Sequence, residues 1–420
     1  MKAPSPSPTL DAGPVPRFLA VDFFCGAGGT TRGLIDAGGY VIAGIDKDAR
    51  CKQTFSDNNI NSTIDEAHAR FLNYDVFPRS AAYPSGQRDE LVREIEGLLS
   101  FYKKRSPETP LLFAICAPCQ PFTRLSRKQL SEKRQQGRER DSGLLVEAAK
   151  YVEHFKPEMI LSENVASIKD PKYGGVWEDF RNHLEAIGYA TGSKVVCTSK
   201  FGIAQFRKRS ILIAVRRELV REERFADLLG SELLVPENDP DSLMVSVAQA
   251  IGHLPSVKAG ETHPEVPNHR TRTLSDTNLK RLASAKPGES NAYMETTEFG
   301  NLTLECHRKV NDRLGGRCFT DVYTRMHPNR PSPTITTKCH SISNGRFGHY
   351  DVGQVRGISL REAAALQSFP DDYVFHPIGQ IEPIARMIGN AVPPKLARYF
   401  AGYLAASVEA VTKSESPSHG

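Results

Sequence analysis

Two thiols separated by two residues are the first feature of this sequence that could carry out chemistry. Cys116 and Cys119 lie in the run Ile-Cys-Ala-Pro-Cys-Gln-Pro-Phe over residues 115–122. A Cys-x-x-Cys pair can be a redox dithiol or half of a zinc site, and one cysteine of such a pair can also be a nucleophile. No second Cys-x-x-Cys and no His-x-x-x-His occurs to complete a zinc site. Scattered later residues leave the zinc alternative open: Cys306, His307, Cys318, Cys339 and His340.

A glycine-rich turn is the second such feature. Gly26-x-Gly28-Gly29 follows an apolar run, and glycine lets a backbone approach a ligand closely. The spacing lacks the third glycine of the dinucleotide fingerprint and the Gly-Lys-Ser/Thr ending of a phosphate loop. Asp46 ends the next apolar run, roughly twenty residues on, where a ribose hydroxyl is typically held. The pair indicates an adenosine-containing cofactor without a pyrophosphate; a simple strand-to-helix turn is the alternative.

The elements that must position these motifs alternate along the chain. Short apolar runs predict strands over residues 18–24, 40–45, 111–115, 159–162 and 210–215. Amphipathic or capped stretches predict helices over residues 143–154, 176–187, 360–369 and 394–406. This alternation predicts an α/β fold with a mostly parallel sheet and helices on both faces, which holds ligands at the carboxyl ends of its strands.

Composition excludes several classes of protein. The 420 residues are 39% hydrophobic and 25% charged, enough for a sizeable core that we expect to split into two lobes. No apolar run approaches the roughly 20 residues of a membrane-spanning helix, and the N-terminus lacks a signal peptide. We therefore expect a cytoplasmic protein, whose eight cysteines stay reduced. The net charge of +5 permits a polyanionic partner without proving one.

Taken together and in order, the motifs resemble those of the DNA cytosine-5 methyltransferase family of bacterial restriction-modification type. The glycine turn is followed by Pro118-Cys119-Gln120, Glu163-Asn164-Val165, Gln205-x-Arg207-x-Arg209, Arg330-Pro331-Ser332-x-Thr334 and Gly389-Asn390-Ala391-Val392. The resemblance covers most of residues 18–406 and leaves 216–330 unmatched. It implies an S-adenosylmethionine-dependent, Rossmann-like methyltransferase fold with a smaller irregular target recognition domain.

The resemblance also implies a mechanism. Cys119, rather than Cys116, would be the nucleophile that adds to carbon 6 of a flipped-out cytosine, with Glu163 at nitrogen 3 of the ring. Arg207 and Arg209 would brace that carboxylate, the cytosine oxygen and a phosphate. A basic segment after Cys119 would close over the DNA, and its cations are Arg124, Arg127, Lys128, Lys133, Arg134, Arg138 and Arg140. A solvated helical hairpin is the alternative for that segment.

For the cofactor, the resemblance implies S-adenosyl-L-methionine, with no metal. Its pocket would contain Phe24, Gly26, Gly28, Gly29, Asp46, Asp75, Leu145, Asn390 and Val392. The contacts from Asn390 and Val392 imply that the last helix returns to pack beside the first strand. Ala117, Ala204 and Lys47 depart from the family pattern, which affects loop stiffness and adenine packing but not the reacting groups.

The implied domain organisation has five parts. Residues 1–16 and 412–420 are expected to be disordered tails, 17–230 the first part of the catalytic and cofactor-binding domain, 231–383 the target recognition domain, and 384–411 the returning catalytic segment. Candidate DNA contacts in the recognition domain are Lys280, Arg281, Arg308, Lys309 and Arg313.

The implied partner is double-stranded DNA, and a paired restriction endonuclease would complete the system. We expect a monomer associated with the nucleoid. Two alternatives remain: a tRNA cytosine-5 methyltransferase on the same scaffold, whose relatives carry a shorter unmatched region, and a protein that binds cofactor and DNA without catalysis.

Overall fold

The computed structural model describes residues 15–61, 67–118, 143–170, 175–219, 244–315 and 318–415. Cys119 and the basic segment after it lie outside these residues. So do most of the predicted tails and residues 231–243 of the predicted recognition domain.

A seven-stranded sheet organises the first part of the chain. The strands are β1 (Phe18–Phe23), β2 (Gly39–Ile45), β3 (Ile60–Asn61), β4 (Ala67–His68), β5 (Arg70–Leu72), β6 (Leu111–Ile115), β7 (Met159–Val165), β8 (Tyr189–Cys197) and β9 (Lys208–Arg216). The sheet has the order β5-β2-β1-β6-β7-β9-β8, and β3 and β4 form a separate pair. β5, β2, β1, β6 and β7 run parallel, whereas β9 is antiparallel to both of its neighbours. The predicted mostly parallel sheet is confirmed.

Helices surround the sheet and extend beyond it. They are α1 (Gly29–Asp36), α2 (Lys52–Asn58), α3 (Arg88–Lys103), α4 (Leu144–Phe155), α5 (Val176–Ala186), α6 (Val247–Ile251), α7 (Asp276–Ser284), α8 (Glu305–Leu314), α9 (Leu360–Leu366), α10 (Ile381–Asn390) and α11 (Pro394–Glu415). Several 3-10 turns connect them.

Both faces of the sheet are buried, which explains the continuous apolar runs of its strands. Leu19 and Val21 of β1 pack in one core with residues of α3, α4 and α5. Phe18 and Ala20 point the other way and share a second core with α1 and α11. Because successive side chains of a strand alternate between faces, one short strand serves both cores. The predicted return of the last helix beside β1 is confirmed.

Several predicted boundaries need correction. β7 continues to Val165 because its antiparallel partner β9 extends the ladder, so Glu163 lies inside a strand rather than after one. β8 was not predicted; its end is only partly buried and lacks a continuous apolar run. α9 ends at Leu366, before the predicted 369, and Ser368 then takes a positive φ of 66°.

The last helix is also longer than predicted. α11 continues through Glu415, so the expectation that residues 412–415 belong to a disordered tail was wrong. The sequence after residue 406 contains neither glycine nor proline until Pro417. Without a residue that breaks a helix, the backbone hydrogen bonds continue.

The region from residue 244 to 380 is irregular and lies within residues 231–383, where an irregular recognition domain was expected. Its described part has short helices and isolated bridges. Arg325, which is fully buried, donates hydrogen bonds to the backbone carbonyls of Leu282, His349, Asp351 and Gln354. A guanidinium presents five donors in a rigid fork, so one side chain can organise several loops where no sheet does.

No helix within the described part of the chain is long and apolar enough to cross a membrane.

The contact between α1 and α11 yields a test of the fold. A Cβ added to Gly33 would lie 2.4 Å from Pro394 O and 2.6 Å from Ala397 Cβ. We expect Gly33→Ala to lower the free energy of unfolding by about 1–3 kcal/mol, since a methyl group must force the helices apart. Chemical denaturation measures the change.

Gly97→Ala is the matched control. Gly97 lies within α3, and a Cβ there would meet nothing within 4 Å. Alanine should stabilise that helix by roughly 0.5–1 kcal/mol. Equal effects of the two substitutions would contradict the close packing of α1 on α11.

Candidate cofactor pocket and catalytic centre

A cavity of about 330 Å³ opens at the carboxyl ends of the central strands. Among the predicted site residues, it is lined by Phe24, Gly26, Gly29, Asp46, Glu163, Arg207, Arg209, Asn390 and Val392. Pro118, the residue before Cys119, also lines it. The cavity therefore joins the glycine turn to the carboxylate and arginine motifs, although the chain segments that supply them are far apart in sequence.

The glycine turn is held open by an aspartate. Phe24, Gly26 and Gly28 have positive φ angles of 62°, 51° and 90°. Asp46 accepts hydrogen bonds from the backbone N–H groups of Gly26 at 2.9 Å and Asp48 at 2.8 Å. Burial raises the pKa of Asp46, and these two donors oppose the rise. The carboxylate thus fixes the turn from the neighbouring strand and still faces the cavity.

Gly28 and Gly29 are needed for different contacts. A Cβ on Gly28 would lie 2.3 Å from Asn59 Nδ2 and 2.8 Å from the Tyr373 hydroxyl. One on Gly29 would lie 2.5 Å from Val392 O. Gly29 therefore lets the returning chain approach the cavity, whereas Gly28 packs against residues behind it.

Asp22 is a buried acid that the sequence analysis missed. It is the penultimate residue of β1, is fully buried, and accepts a hydrogen bond of 2.6 Å from Thr31 Oγ1 in the first turn of α1. Its Oδ1 has no hydrogen-bond partner among the described residues. Burial raises the pKa of Asp22 to about 7, against the opposing bonds from Thr31. The residue ties the helix after the glycine turn to the strand before it.

Glu163 and Arg209 form the charged centre of the cavity. Arg209 Nε lies 2.6 Å from Glu163 Oε1, and both side chains are about nine-tenths buried. No hydrogen bond of good angle reaches that oxygen within the described ranges, so the pair is an ion contact rather than an aligned hydrogen bond. The antiparallel pairing of β7 with β9 places both residues at the same end of the sheet.

Arg207 joins the cavity to the returning chain. Its guanidinium donates to the backbone carbonyls of Ile335 at 2.9 Å and Gly389 at 3.1 Å, and more weakly to that of Ala391. Arg207 lies just before β9, which contains Arg209, and both side chains line the cavity. The structure therefore brings the two predicted arginines together at the cavity with different contacts.

The first thiol of the Cys-x-x-Cys pair, Cys116, lines this cavity and has a raised pKa. Burial raises the pKa of Cys116 well above its ordinary value, and the nearby Glu163 and Asp22 raise it further. Thr30 Oγ1 lies 3.9 Å from its sulfur. A thiol in such surroundings remains protonated and is a poor nucleophile.

Helix α10 supplies a wall of the cavity that sequence reasoning only partly found. Glu382, Arg386 and Asn390 all line it, and a spacing of four residues puts them on one helical face. Asn390 alone was predicted. Arg50, Cys51 and Met387 also line the cavity and were not predicted. For α10, the four-residue spacing of Glu382, Arg386 and Asn390 was a signal that the sequence offered.

Three predicted cofactor residues, Gly28, Asp75 and Leu145, are buried but do not line the cavity. Asp75 accepts a hydrogen bond of 2.8 Å from Ser85 Oγ. Leu145 packs in the same apolar core that supports Phe24. Their assignment to the cofactor stays a prediction.

The zinc alternative can be examined only where residues are described. In those ranges no group of three or more His, Cys, Asp and Glu side chains is placed to hold a metal ion. Cys339 is buried, whereas Cys306 is exposed.

Comparison with known proteins defines the class. Residues 96–405 match the family model of C-5 cytosine-specific DNA methylases. The chain is 34% identical over 387 residues to the type II methylase M.HgiDII of Herpetosiphon aurantiacus, which covers 91% of this chain and 93% of that protein. It is 26% identical to the type II methyltransferase M1.HphI of Haemophilus parahaemolyticus, over 91% of this chain and 85% of the other.

A solved structure agrees on the fold. It is a protein encoded within an Escherichia coli prophage and described as a DNA modification methyltransferase; its TM-score is 0.62 at 19% identity, over 94% of this chain and 99% of that one. The chain belongs to the C-5 cytosine-specific DNA methylase family and is a DNA cytosine-5 methyltransferase. The resemblance drawn from the sequence motifs is confirmed.

The buried aspartate predicts a pH dependence of stability. Because the native Asp22 carboxyl keeps its proton up to about pH 7 while the unfolded one loses it near its ordinary pKa of 3.8, stability should fall as pH rises between these values. The slope for one proton is at most about 1.4 kcal/mol per pH unit. Asp22→Asn should remove this component.

Denaturation at several pH values between 4 and 8 measures the effect. The exposed Asp179→Asn is the control and should follow the wild type throughout. If wild type and Asp22→Asn show parallel stability curves over this range, the aspartate is ionised throughout and the account of its burial is wrong.

Proposed function

We propose that the chain transfers a methyl group from S-adenosyl-L-methionine to carbon 5 of a cytosine in a specific double-stranded DNA sequence, through a covalent adduct with Cys119. The observation that carries this proposal is the cavity itself. It contains the glycine turn and Asp46 at one side and the Glu163–Arg209 pair at the other, and it ends at Pro118, one residue from Cys119.

The residues present fit the proposed cofactor. Gly26 lines the cavity, and a Cβ on it would meet no atom within 4 Å, so glycine here keeps space open for a ligand. Asp46 and Glu382 offer carboxylates to hydroxyl and ammonium groups, and Arg386 offers a guanidinium to a carboxylate. Phe24 supplies a ring face. S-adenosylmethionine would contribute an electrophilic methyl group, and the chain's own residues would do the rest.

Carbon 5 of cytosine is a weak nucleophile, which is why a thiolate is needed. When the sulfur of Cys119 bonds to carbon 6, electron density moves to carbon 5, which then takes the methyl group. Loss of the proton from carbon 5 expels the sulfur and restores the ring. Such reversible addition suits a cysteine. Cys119 lies outside the described residues, and the raised pKa of Cys116 favours Cys119 as the nucleophile.

Glu163 would meet the charge that develops on the ring. Its carboxyl group can donate a hydrogen bond or proton to nitrogen 3 as the thiolate adds. The ion contact with Arg209 orients that carboxyl, and Arg209 can reach the cytosine oxygen or a phosphate with its remaining donors. Arg207 would act mainly by holding the returning chain at the cavity.

The target base must leave the duplex to enter this cavity, at a cost of a few kcal/mol. We propose that the basic segment after Cys119 closes over the DNA, and that residues 231–383 read its sequence. Of the cations suggested for DNA contact, Arg308 is exposed, whereas Arg281 already donates to Leu302 O and Asn278 Oδ1. Arg308 is therefore the better phosphate contact.

The cellular role we propose is protection of host DNA. The relatives are named as type II enzymes, and the corresponding partner would be an endonuclease that cuts the same sequence. The enzyme would act as a monomer, since one chain supplies every proposed site residue. DNA from expressing cells should resist an endonuclease that cuts at the methylated target; full cleavage at fully methylated sites would exclude this role.

Bisulfite sequencing tests the activity and the nucleophile together. DNA from Escherichia coli expressing the wild-type chain should show 5-methylcytosine in one recurring sequence, and Cys119→Ser should abolish the signal. Cys116→Ser is the matched control and should retain it, because the raised pKa of Cys116 disfavours the thiolate that the reaction needs.

Total tRNA from the same cells provides the second arm of this experiment. New methylation in tRNA with none in DNA would overturn the proposed substrate. A wild-type signal in Cys119→Ser, or its loss only in Cys116→Ser, would overturn the nucleophile.

Two glutamates of the β7 region allow a matched test of the proposed acid. Glu163 and Glu158 each pair with an arginine of β9, Arg209 and Arg216 respectively, but only Glu163 lines the cavity. We expect Glu163→Gln to lower kcat by roughly 10²–10⁴. Glu158→Gln should keep kcat near the wild-type value and affect stability alone. Similar kcat losses in both variants would contradict a chemical role for Glu163.

A further inference from the structure

A short segment after α9 is held by hydrogen bonds to a helix that packs beside the sheet. The backbone N–H of Val374 donates to Asn58 Oδ1 at 2.7 Å, and Asn58 Nδ2 donates back to Val374 O at 2.8 Å. The N–H of His376 donates to Thr54 Oγ1 at 2.8 Å. These bonds attach residues 374–376 to helix α2, which follows the strand that carries Asp46.

The residue just before this segment reaches the glycine turn. The Tyr373 hydroxyl donates a hydrogen bond to the backbone carbonyl of Ala27, and it accepts one of 3.1 Å from Asn59 Nδ2. Tyr373 is 2% exposed, and burial raises its pKa, so the hydroxyl stays protonated and remains a donor. The carbonyl of Ala27 lies between the two glycines of positive φ.

The fit around this hydroxyl is tight. The hydroxyl and Asn59 Nδ2 occupy the space that a side chain on Gly28 would need. The Tyr373 ring packs against Phe369 and Phe375, with ring centroids 4.8 and 5.2 Å away. A side chain so enclosed cannot move without moving the turn.

The backbone of Tyr373 and of its neighbours is held by hydrogen bonds from side chains elsewhere in the irregular region. Arg361, which is fully buried, donates to the backbone carbonyls of Tyr373, Pro370 and Pro267. Asn268 Oδ1 accepts from the N–H of Phe375 at 2.8 Å. Residues 267–268 belong to the region proposed to read DNA, so a continuous set of hydrogen bonds connects that region with the cofactor turn.

We propose that Tyr373 is a positioning residue for the cofactor: its hydroxyl holds the carbonyl of Ala27, and thereby fixes the glycine turn in the conformation that binds S-adenosylmethionine. The inference rests on the proposed identity of the cofactor. It places part of the cofactor affinity near the end of the irregular region, outside the sheet and outside the residues that line the cavity.

Titration calorimetry with S-adenosylmethionine and the DNA-free protein tests it. We expect Tyr373→Phe to raise the Kd about tenfold, since a buried carbonyl loses its donor and the turn its support. Tyr293→Phe is the matched control: that hydroxyl also donates to a backbone carbonyl, of Tyr323 at 2.6 Å, but within the irregular region. Its Kd should equal that of the wild type.

A second pair of variants covers the case in which Tyr373→Phe does not fold. Gly28→Ala should also weaken binding, because its Cβ would displace Asn59 and Tyr373. Gly188→Ala controls for the strain of a positive φ, since Gly188 has φ 96° and open space around it. Gly188→Ala should bind as the wild type does.

Kinetics separate positioning from a general loss of structure. Tyr373→Phe should raise KM for S-adenosylmethionine in proportion to Kd, with kcat at saturating cofactor retained. An unchanged Kd in folded Tyr373→Phe, or an equal loss in Tyr293→Phe, would overturn the inference alone. Failure of the wild type to bind S-adenosylmethionine would overturn the proposed function as well.

Discussion

The hydrogen bonds of Arg207 to the backbone carbonyls of Ile335 and Gly389 are the constraint on which the site depends. The chain leaves the sheet after β9 and returns only with α10 and α11, so the cavity is complete only where these segments meet. Charge-assisted hydrogen bonds of this kind contribute about 1.5–3 kcal/mol each. Arg209, two residues on, is thereby held beside Glu163 with α10 as the opposite wall.

The presence of a positively charged partner divides the acids and the thiol of this region into two groups. Asp22 and Cys116 have no such partner among the described residues, and their pKa values are raised because the charged forms lose hydration. Asp22 ties α1 to β1 through its hydrogen bond with Thr31, and it loses its proton only near pH 7. Glu163 lies against the guanidinium of Arg209, which orients its carboxyl group at the cavity surface. The protein thus separates residues that shape the pocket from those that would react in it.

Features set by a local sequence pattern could be predicted from the sequence, whereas features set by contacts between distant parts of the chain could not. Leu111–Ile115 was predicted to the residue because a buried parallel strand is a continuous apolar run. Glu163 and Arg209 could be placed together because the motifs resemble those of a known family, and Asp46 could be placed near them because parallel sheets hold ligands at the carboxyl ends of their strands. Tyr373 and the face of α10 could not, since their partners lie far away in the sequence, and Asp22 was not singled out because it lies within an apolar strand. Gly28 was assigned to the cofactor, yet its neighbours are Asn59 and Tyr373.

The central claim is that Cys119 bonds to carbon 6 of the target cytosine, and a 5-fluorocytosine duplex tests it most directly. Once methylated, carbon 5 of that base has no proton to lose, so the sulfur cannot be expelled. With S-adenosylmethionine present, the account predicts a denaturant-stable complex of protein and DNA whose cross-linked tryptic peptide contains Cys119. An adduct at any other residue, or none from a protein that methylates the unmodified duplex, would contradict it.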